Sequence, residues 1–160
     1  MWKVKKSKVH GSGVFAIKDI KKNTKIIEYI GEKVLKSEGD KRSAKRIKNY
    51  LHSEETGSVY IFELNSKYDI DGFFEYNKAR YINHSCNPNC EVSGTGLKIW
   101  VYAIRDIKKG EELTYDYGFG FDEGYKDFPC RCRSKNCVGY IVRSESRWRI
   151  KKSKSYKSHR

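Results

Sequence analysis

Three cysteines crowd one short stretch, Cys130-Arg131-Cys132-Arg133-Ser134-Lys135-Asn136-Cys137, with C-x-C-x4-C spacing. Thiolates this close repel one another unless a cation holds them, and a structural zinc ion wants four ligands in a tetrahedron. The only other cysteines are Cys86 and Cys90, so the fourth ligand must be one of these. Cys86 is the expected ligand because it lies in the polar turn Asn83-His84-Ser85-Cys86-Asn87-Pro88-Asn89. Zinc held by Cys86, Cys130, Cys132 and Cys137 would tie the end of the chain to the middle of the domain. Without it, a short Gly- and Cys-rich segment buries too little to stay folded. The alternatives are free surface thiols or a different metal. The cysteine count of five is odd and no secretion signal precedes it, so a disulfide framework is disfavoured.

Three further segments carry residues suited to binding or catalysis. In His10-Gly11-Ser12-Gly13 the glycines let backbone approach a ligand closely. The segment departs from the dinucleotide fingerprint, with Ala16 three positions after Gly13, and it leads into a strand rather than a helix. Read alone it is more often a plain turn. The other two are Arg80-Tyr81-Ile82-Asn83-His84-Ser85-Cys86-Asn87-Pro88-Asn89-Cys90 and Glu111-Glu112-Leu113-Thr114-Tyr115-Asp116-Tyr117-Gly118.

The elements that must position these segments are short. Val14–Ile17, Lys25–Tyr29, Ser58–Leu64, Tyr68–Asp71 and Leu97–Ile104 read as strands, being β-branched, aromatic or alternating. A turn is expected at Ser93-Gly94-Thr95-Gly96 before the last of these. Residues 38–52 suit a surface helix, and 73–82 a short one. Ala16-Ile17-Lys18-Asp19-Ile20-Lys21-Lys22 is echoed by Ala103-Ile104-Arg105-Asp106-Ile107-Lys108-Lys109, which predicts two similar β-turn-β corners rather than a repeat architecture.

The 160 residues suffice for one domain with a core, and 12 Tyr, 7 Phe and 3 Trp supply much of its buried area. No apolar run approaches the roughly 18 residues of a membrane span, and Met1-Trp2-Lys3-Val4-Lys5-Lys6 is not a secretory signal, so the expected location is intracellular. The net charge is +14, and residues 143–160 hold eight basic residues against Glu145 alone. Such a tail is either a solvated segment or an electrostatic hold on nucleic acid.

Taken together, the loop at 10–13, the segments at 80–90 and 111–118 and the terminal cysteines occur in the order of the SET-domain protein-lysine methyltransferases, which the chain resembles over roughly residues 8–140. Glu28-Tyr29-Ile30-Gly31-Glu32 is similar to that family's early strand pair. The resemblance is to the chromatin-modifying histone-lysine branch with a post-SET zinc site. It implies a mostly β, β-clip-like fold of small curled sheets and short helices, with a pseudoknot that brings residues 83–86 beside 113–117. It divides the chain into a SET domain at 1–118, a post-SET zinc segment at 119–142 and a basic C-terminal tail at 143–160.

By the same resemblance the cofactor is S-adenosylmethionine, cradled by His10, Gly11, Ser12, Gly13, Tyr60, Asn83 and His84, with Arg131 completing the pocket once zinc is bound. Tyr117 is the catalytic tyrosine that orients a neutral lysine amine, and Tyr29 and Tyr115 line the lysine channel. A hydroxyl at Tyr115 implies mono- or dimethylation. Cys90 is a buried thiol without a ligand role. The implied substrate is a protein with an accessible lysine, a histone-like tail or a ribosomal protein. Glu63, Asp69, Asp71, Glu75, Asp122, Glu123 and Asp127 are candidates to attract it, and the basic tail to hold nucleic acid. The setting would be nuclear or chromatin-associated in a eukaryote and cytoplasmic in a prokaryote. Residues around Trp148 are flexible or fold over the lysine channel. A zinc-stabilised basic nucleic-acid-binding module without catalysis is the rival from another class.

Overall fold

The structure is a computed structural model that describes residues 1–52 and 59–150. Among the described residues, most of the regular secondary structure is short strand. β1 (Trp2–Lys6) pairs antiparallel with β2 (Ser12–Ala16). β3 (Lys25–Tyr29), β9 (Lys98–Ala103) and β8 (Cys90–Thr95) form one antiparallel sheet in the order β3-β9-β8. β4 (Glu32–Leu35), β6 (Tyr68–Asp71) and β5 (Ile61–Glu63) form another in the order β4-β6-β5. β7 (Asn83–His84) and β10 (Thr114–Tyr115) are two residues each and run parallel, with Asn83 opposite Thr114 and His84 opposite Tyr115. This pairing is the juxtaposition expected of residues 83–86 and 113–117.

One buried cluster sits between these small sheets. Val14, Ala16, Ile26, Ile82, Ile99, Val101, Ile107 and Leu113 are its centre. Alternation places them there: β9 reads exposed, buried, intermediate, buried, intermediate, buried, so one face packs inward. β1 and β8 went unread in the sequence. β1 is lysine at alternate positions, and its apolar partners are only Trp2 and Val4. The turn expected at 93–96 is displaced, because β8 continues to Thr95 and Gly96-Leu97 make a two-residue hairpin. Gly96 carries φ +62°, which suits the first central position of such a turn.

The surface helix is α1 (Lys36–His52). Ion pairs hold it to the sheet, alongside a stacked Tyr50–Phe128 contact. Arg42 and Arg46 both reach the Asp71 carboxylate, at 2.8–2.9 Å. The short helix expected at 73–82 is a single 3-10 turn, Lys78–Tyr81. No helix among the described residues is long and apolar enough to cross a membrane.

The two echoed corners pack on each other. Ile20 and Ile107 exchange backbone bonds at 2.8 Å each way. Lys21 Nζ lies 2.9 Å from Asp106 and Lys108 Nζ lies 2.9 Å from Asp19. The Asp106 and Asp19 carboxylates also accept the N–H of Lys22 and Lys109. The repeated sequence is therefore a local two-fold contact that joins the early strands to the segment leading into β10.

Candidate active site and metal centre

A cleft of about 410 Å³ opens beside β7 and β10. His10 and Gly11 line it from the loop before β2, Ser12 from the start of β2, and Tyr29, Tyr60, Asn83, His84, Tyr115, Tyr117 and Arg131 from elsewhere in the chain. The expected cofactor and catalytic residues thus share one cavity, except Gly13. Gly13 faces Glu112 instead, and a Cβ there would stand 2.3 Å from Oε1.

Asn83 knits the loop to the strands. Its Nδ2 donates to Ser12 O at 3.0 Å, to His10 O at 3.2 Å and to Glu112 Oε1 at 2.7 Å. The Ser7 hydroxyl lies 2.7 and 2.9 Å from the two Glu112 oxygens. Glu112 therefore braces the loop from below, a role that sequence reasoning missed because the residue stands inside its motif without a distinctive neighbour. Gly11 turns the loop with φ +45°, a left-handed conformation that glycine adopts without a Cβ penalty. His10 is held below its ordinary pKa by burial first and by the charge of Arg131 second, and both residues line the cleft.

The inner end of the cleft is aromatic. Tyr117 Oη donates to the Ile82 carbonyl at 3.0 Å, and Tyr29 Oη to the Tyr60 carbonyl at 2.9 Å. The Tyr115 and Tyr117 rings lie 5.0 Å apart, and Phe62 bridges Tyr29 at 4.4 Å and Tyr115 at 5.7 Å. Burial pushes all three phenols above their ordinary range, with neighbouring tyrosines adding to it. They stay neutral hydroxyls at physiological pH. Gly72 makes room for this wall: a Cβ there would stand 2.3–2.4 Å from the Tyr29 ring and hydroxyl.

The four thiols converge on the far side of His84. The sulfurs of Cys86, Cys130, Cys132 and Cys137 all lie within 4.8 Å of one another, and those of Cys86 and Cys130 are 3.9 Å apart. Four sulfurs at ~2.3 Å from a tetrahedral zinc ion stand about 3.8 Å apart, so the donor set and its size fit zinc. Cys132 Sγ faces the Cys86 N–H at 3.5 Å, and Cys137 Sγ the Gly139 N–H at 3.4 Å, contacts that suit thiolates. The bond shared with Cys130 favours the ionised form of Cys86 and holds its thiol below the ordinary pKa. Cys90 stands outside the group, buried, with burial raising its thiol to about 12.

His84 joins the cysteine cluster to the tyrosines. Its Nδ1 accepts the Tyr117 N–H at 3.2 Å, and its Nε2 lies 3.6 Å from Cys86 Sγ. That bond pattern places the ring proton on Nε2.

The acidic residues expected to attract a cationic substrate are in part engaged internally. Asp71 is 1% exposed and bound by Arg42 and Arg46, while Asp69 is 5% exposed and faces Lys36 Nζ at 3.4 Å. Glu63 shares that lysine at 2.8 Å. Residues 144–149 form a 3-10 turn, and none of them lines the cleft; Trp148 is 79% exposed. The rest of the expected basic tail, from 151, and Ser58 of the strand expected at 58–64 lie outside the described residues.

Comparison with known proteins bears on the same segments. The family model for the SET domain matches residues 11–118. "Histone-lysine N-methyltransferase, H3 lysine-4 specific" of Schizosaccharomyces pombe is 43% identical over 140 residues, 84% of this chain and 14% of that protein. "Histone-lysine N-methyltransferase 2D" of Homo sapiens is 39% identical over 136 residues, 82% of this chain and 2% of that protein. "Histone-lysine N-methyltransferase set1" of Dictyostelium discoideum is 39% identical over 139 residues, 84% of this chain and 9% of that protein. The chain thus spans a small part of the length of these relatives.

Proposed function

From the premise that the chain belongs to the SET-domain family, we propose that it transfers a methyl group from S-adenosylmethionine to a lysine side chain of a histone. The observation that carries this reading is the single cleft that joins the loop at 10–12 to the buried tyrosines through Asn83 and His84. The names of the relatives supply the substrate class.

When bound, S-adenosylmethionine supplies an electrophilic methyl on a positively charged sulfur. The chain's residues hold it and shape the path of the amine. His10, Gly11, Ser12, Gly13, Tyr60, Asn83, His84 and Arg131 form the proposed cofactor surface. The backbone of the loop and the Asn83 side chain are already fixed to each other, so little ordering remains to be done on binding.

Lysine in water has a pKa near 10.4 and must lose its proton before it can attack. A channel walled by Tyr29, Tyr115 and Tyr117 lowers the local dielectric, which favours the neutral amine. Tyr117 is the proposed catalytic tyrosine. Its proton is committed to the Ile82 carbonyl, so its oxygen lone pairs are free to accept from the amine and orient it toward the methyl. The phenol keeps its proton throughout, and the proton lost by lysine leaves to solvent. The hydroxyl of Tyr115 takes up room at the amine, which favours a mono- or dimethylated product.

A zinc ion fits the four thiols, and Cys86, Cys130, Cys132 and Cys137 would hold it. Its chemistry there is structural, since all four positions are filled by sulfur. The proposed setting is chromatin. The segment from 151, basic at five of its ten positions, is the candidate for DNA contact. A non-catalytic zinc-stabilised module accounts for the thiols and the charge but not for buried tyrosines around a cleft.

The test is incubation with methyl-labelled S-adenosylmethionine, core histones and ribosomal proteins. Label on histone lysine, beginning with lysine 4 of H3 as named for the S. pombe relative, is the expected result. Label on ribosomal proteins alone would replace the substrate, and cofactor binding absent altogether would overturn the reading.

A further inference from the structure

We propose that Arg147 is a positioning residue for methyl transfer: through Asp116 it fixes the stretch that carries Tyr115 and Tyr117, and through the Cys86 carbonyl it ties that stretch to the metal centre. This rests on the reading of Tyr117 as the residue that orients the amine.

The guanidinium uses all three of its nitrogens. Nη2 lies 2.6 Å from Asp116 Oδ2, Nη1 donates to Cys86 O at 2.8 Å and Nε donates to Val142 O at 2.8 Å. Its side chain is 13% exposed, so these bonds form largely out of water. Charge-assisted bonds in a planar fork fix direction as well as distance, which a lysine cannot reproduce.

Asp116 is what makes this contact matter. It separates Tyr115 from Tyr117, and β10 ends at Tyr115 after two residues. Beyond it, residues 116–121 form no strand or helix of their own. The segment after the cysteines holds this stretch instead. Arg143 N–H donates to Phe119 O at 2.9 Å and Ser144 N–H to Asp116 Oδ2 at 3.0 Å. The other Asp116 oxygen accepts the Gly118 N–H at 3.0 Å and stands 3.8 Å from His84 Nδ1. Val142 and Ile150, both buried, anchor the segment at either end of the Arg147 turn. The chain therefore closes over its own catalytic strand from the outside, while the cleft face of that strand is left open to ligand.

The arrangement separates two roles. The cofactor surface at residues 10–12 is held by Asn83 and Glu112 and does not touch Arg147. Loss of Arg147 therefore acts on the placement of the tyrosines rather than on cofactor binding.

The experiment compares wild type with Arg147→Lys, Arg147→Ala, Asp116→Asn and the Asp116→Asn/Arg147→Ala pair. Turnover on core histones is measured at saturating cofactor, alongside zinc content, cofactor affinity and amide exchange on each protein. Arg147→Ala is expected to lower kcat about 10- to 100-fold, since a misplacement near ~1 Å can cost about 100-fold. Zinc content and cofactor affinity are expected to stay within about twofold, since the bonds at 10–12 are untouched. The pair is expected to be no worse than the worse single variant, and Arg147→Lys to recover only part of the loss. Amides at 114–118 should exchange faster in Arg147→Ala, with the β8–β9 hairpin unchanged. An unchanged kcat in Arg147→Ala, or a loss of zinc and cofactor affinity in step with kcat, would overturn the proposal. If wild type transfers no methyl group, the methyltransferase reading falls by itself, and amide exchange at 114–118 still decides whether Arg147 fixes that stretch.

Discussion

The Nδ1 of His84 accepts the backbone N–H of Tyr117 at 3.2 Å. The opposite ring nitrogen faces Cys86 Sγ at 3.6 Å, so one imidazole spans from the cysteine cluster to Tyr117, the proposed catalytic tyrosine. Outer-shell partners of metal ligands commonly account for 10- to 100-fold in metal affinity. His84→Ala is therefore expected to weaken zinc retention by about that factor, read by competition with a chromophoric chelator. Chelation of wild type is expected to lower both turnover and cofactor affinity, because Arg131 lines the cleft from between Cys130 and Cys132. Full cofactor affinity in metal-free protein would contradict this link.

Tyr115 is expected to limit the product. Its ring is buried, lies 5.0 Å from Tyr117 and lines the cleft, where the proposed lysine channel would run. Tyr115→Phe removes one oxygen and should shift the product toward trimethyl-lysine, with kcat for the first transfer within a few-fold of wild type. Mass spectrometry of the product checks this, and an unchanged methylation state would count against the assignment.

The buried tyrosines also set an alkaline limit on stability. In the unfolded chain their phenols ionise near pH 10, whereas in the folded chain burial holds the values higher. Between those values the unfolded chain has lost protons that the folded chain retains. Stability is thus complete below about pH 10 and falls above it, by up to about 1.4 kcal/mol per pH unit for each phenol. Thermal melts from pH 8 to 11 test the onset. Turnover should rise over pH 7–9 as the substrate amine loses its proton, with no descending limb from Tyr117.

Asp71 provides the matching acid limit. Burial disfavours its charge, but bonds from Arg46 and Arg42 outweigh this and hold its pKa below the ordinary value of 3.8. Its contribution is present above the unfolded value and is lost as pH falls through the lower, folded one. Asp71→Ala is expected to lower stability by roughly 2–3 kcal/mol. That is less than a wholly buried pair would lose, because Arg42 and Arg46 keep 29% and 19% exposure. Chemical denaturation checks the magnitude.

Much of this was legible in the sequence because covalent neighbours carried it. Cys130-x-Cys132-x4-Cys137 confines three thiols to one loop, so their convergence with Cys86 needed only the β7–β10 contact. Strand β9 showed itself by alternation. β1 did not, since its charged positions masked a strand whose partner, β2, lies just beyond a tight turn. The engagement of Asp69 and Asp71 was equally hidden. A carboxylate in a strand looks solvent-facing until the helix that covers it is placed, and α1 covers it with arginines rather than leucines. Glu112 and Arg147 make their key side-chain contacts with residues distant in sequence, 29 positions to Asn83 and 31 to Asp116, and no local pattern marks such contacts.

The central claim is that Tyr117 orients a lysine amine for methyl transfer. It is tested most directly by measuring histone methylation and cofactor affinity together in wild type and Tyr117→Phe. The account predicts that the variant binds S-adenosylmethionine within about twofold of wild type and loses at least about 100-fold in kcat. Methyl transfer at the wild-type rate by Tyr117→Phe would contradict it.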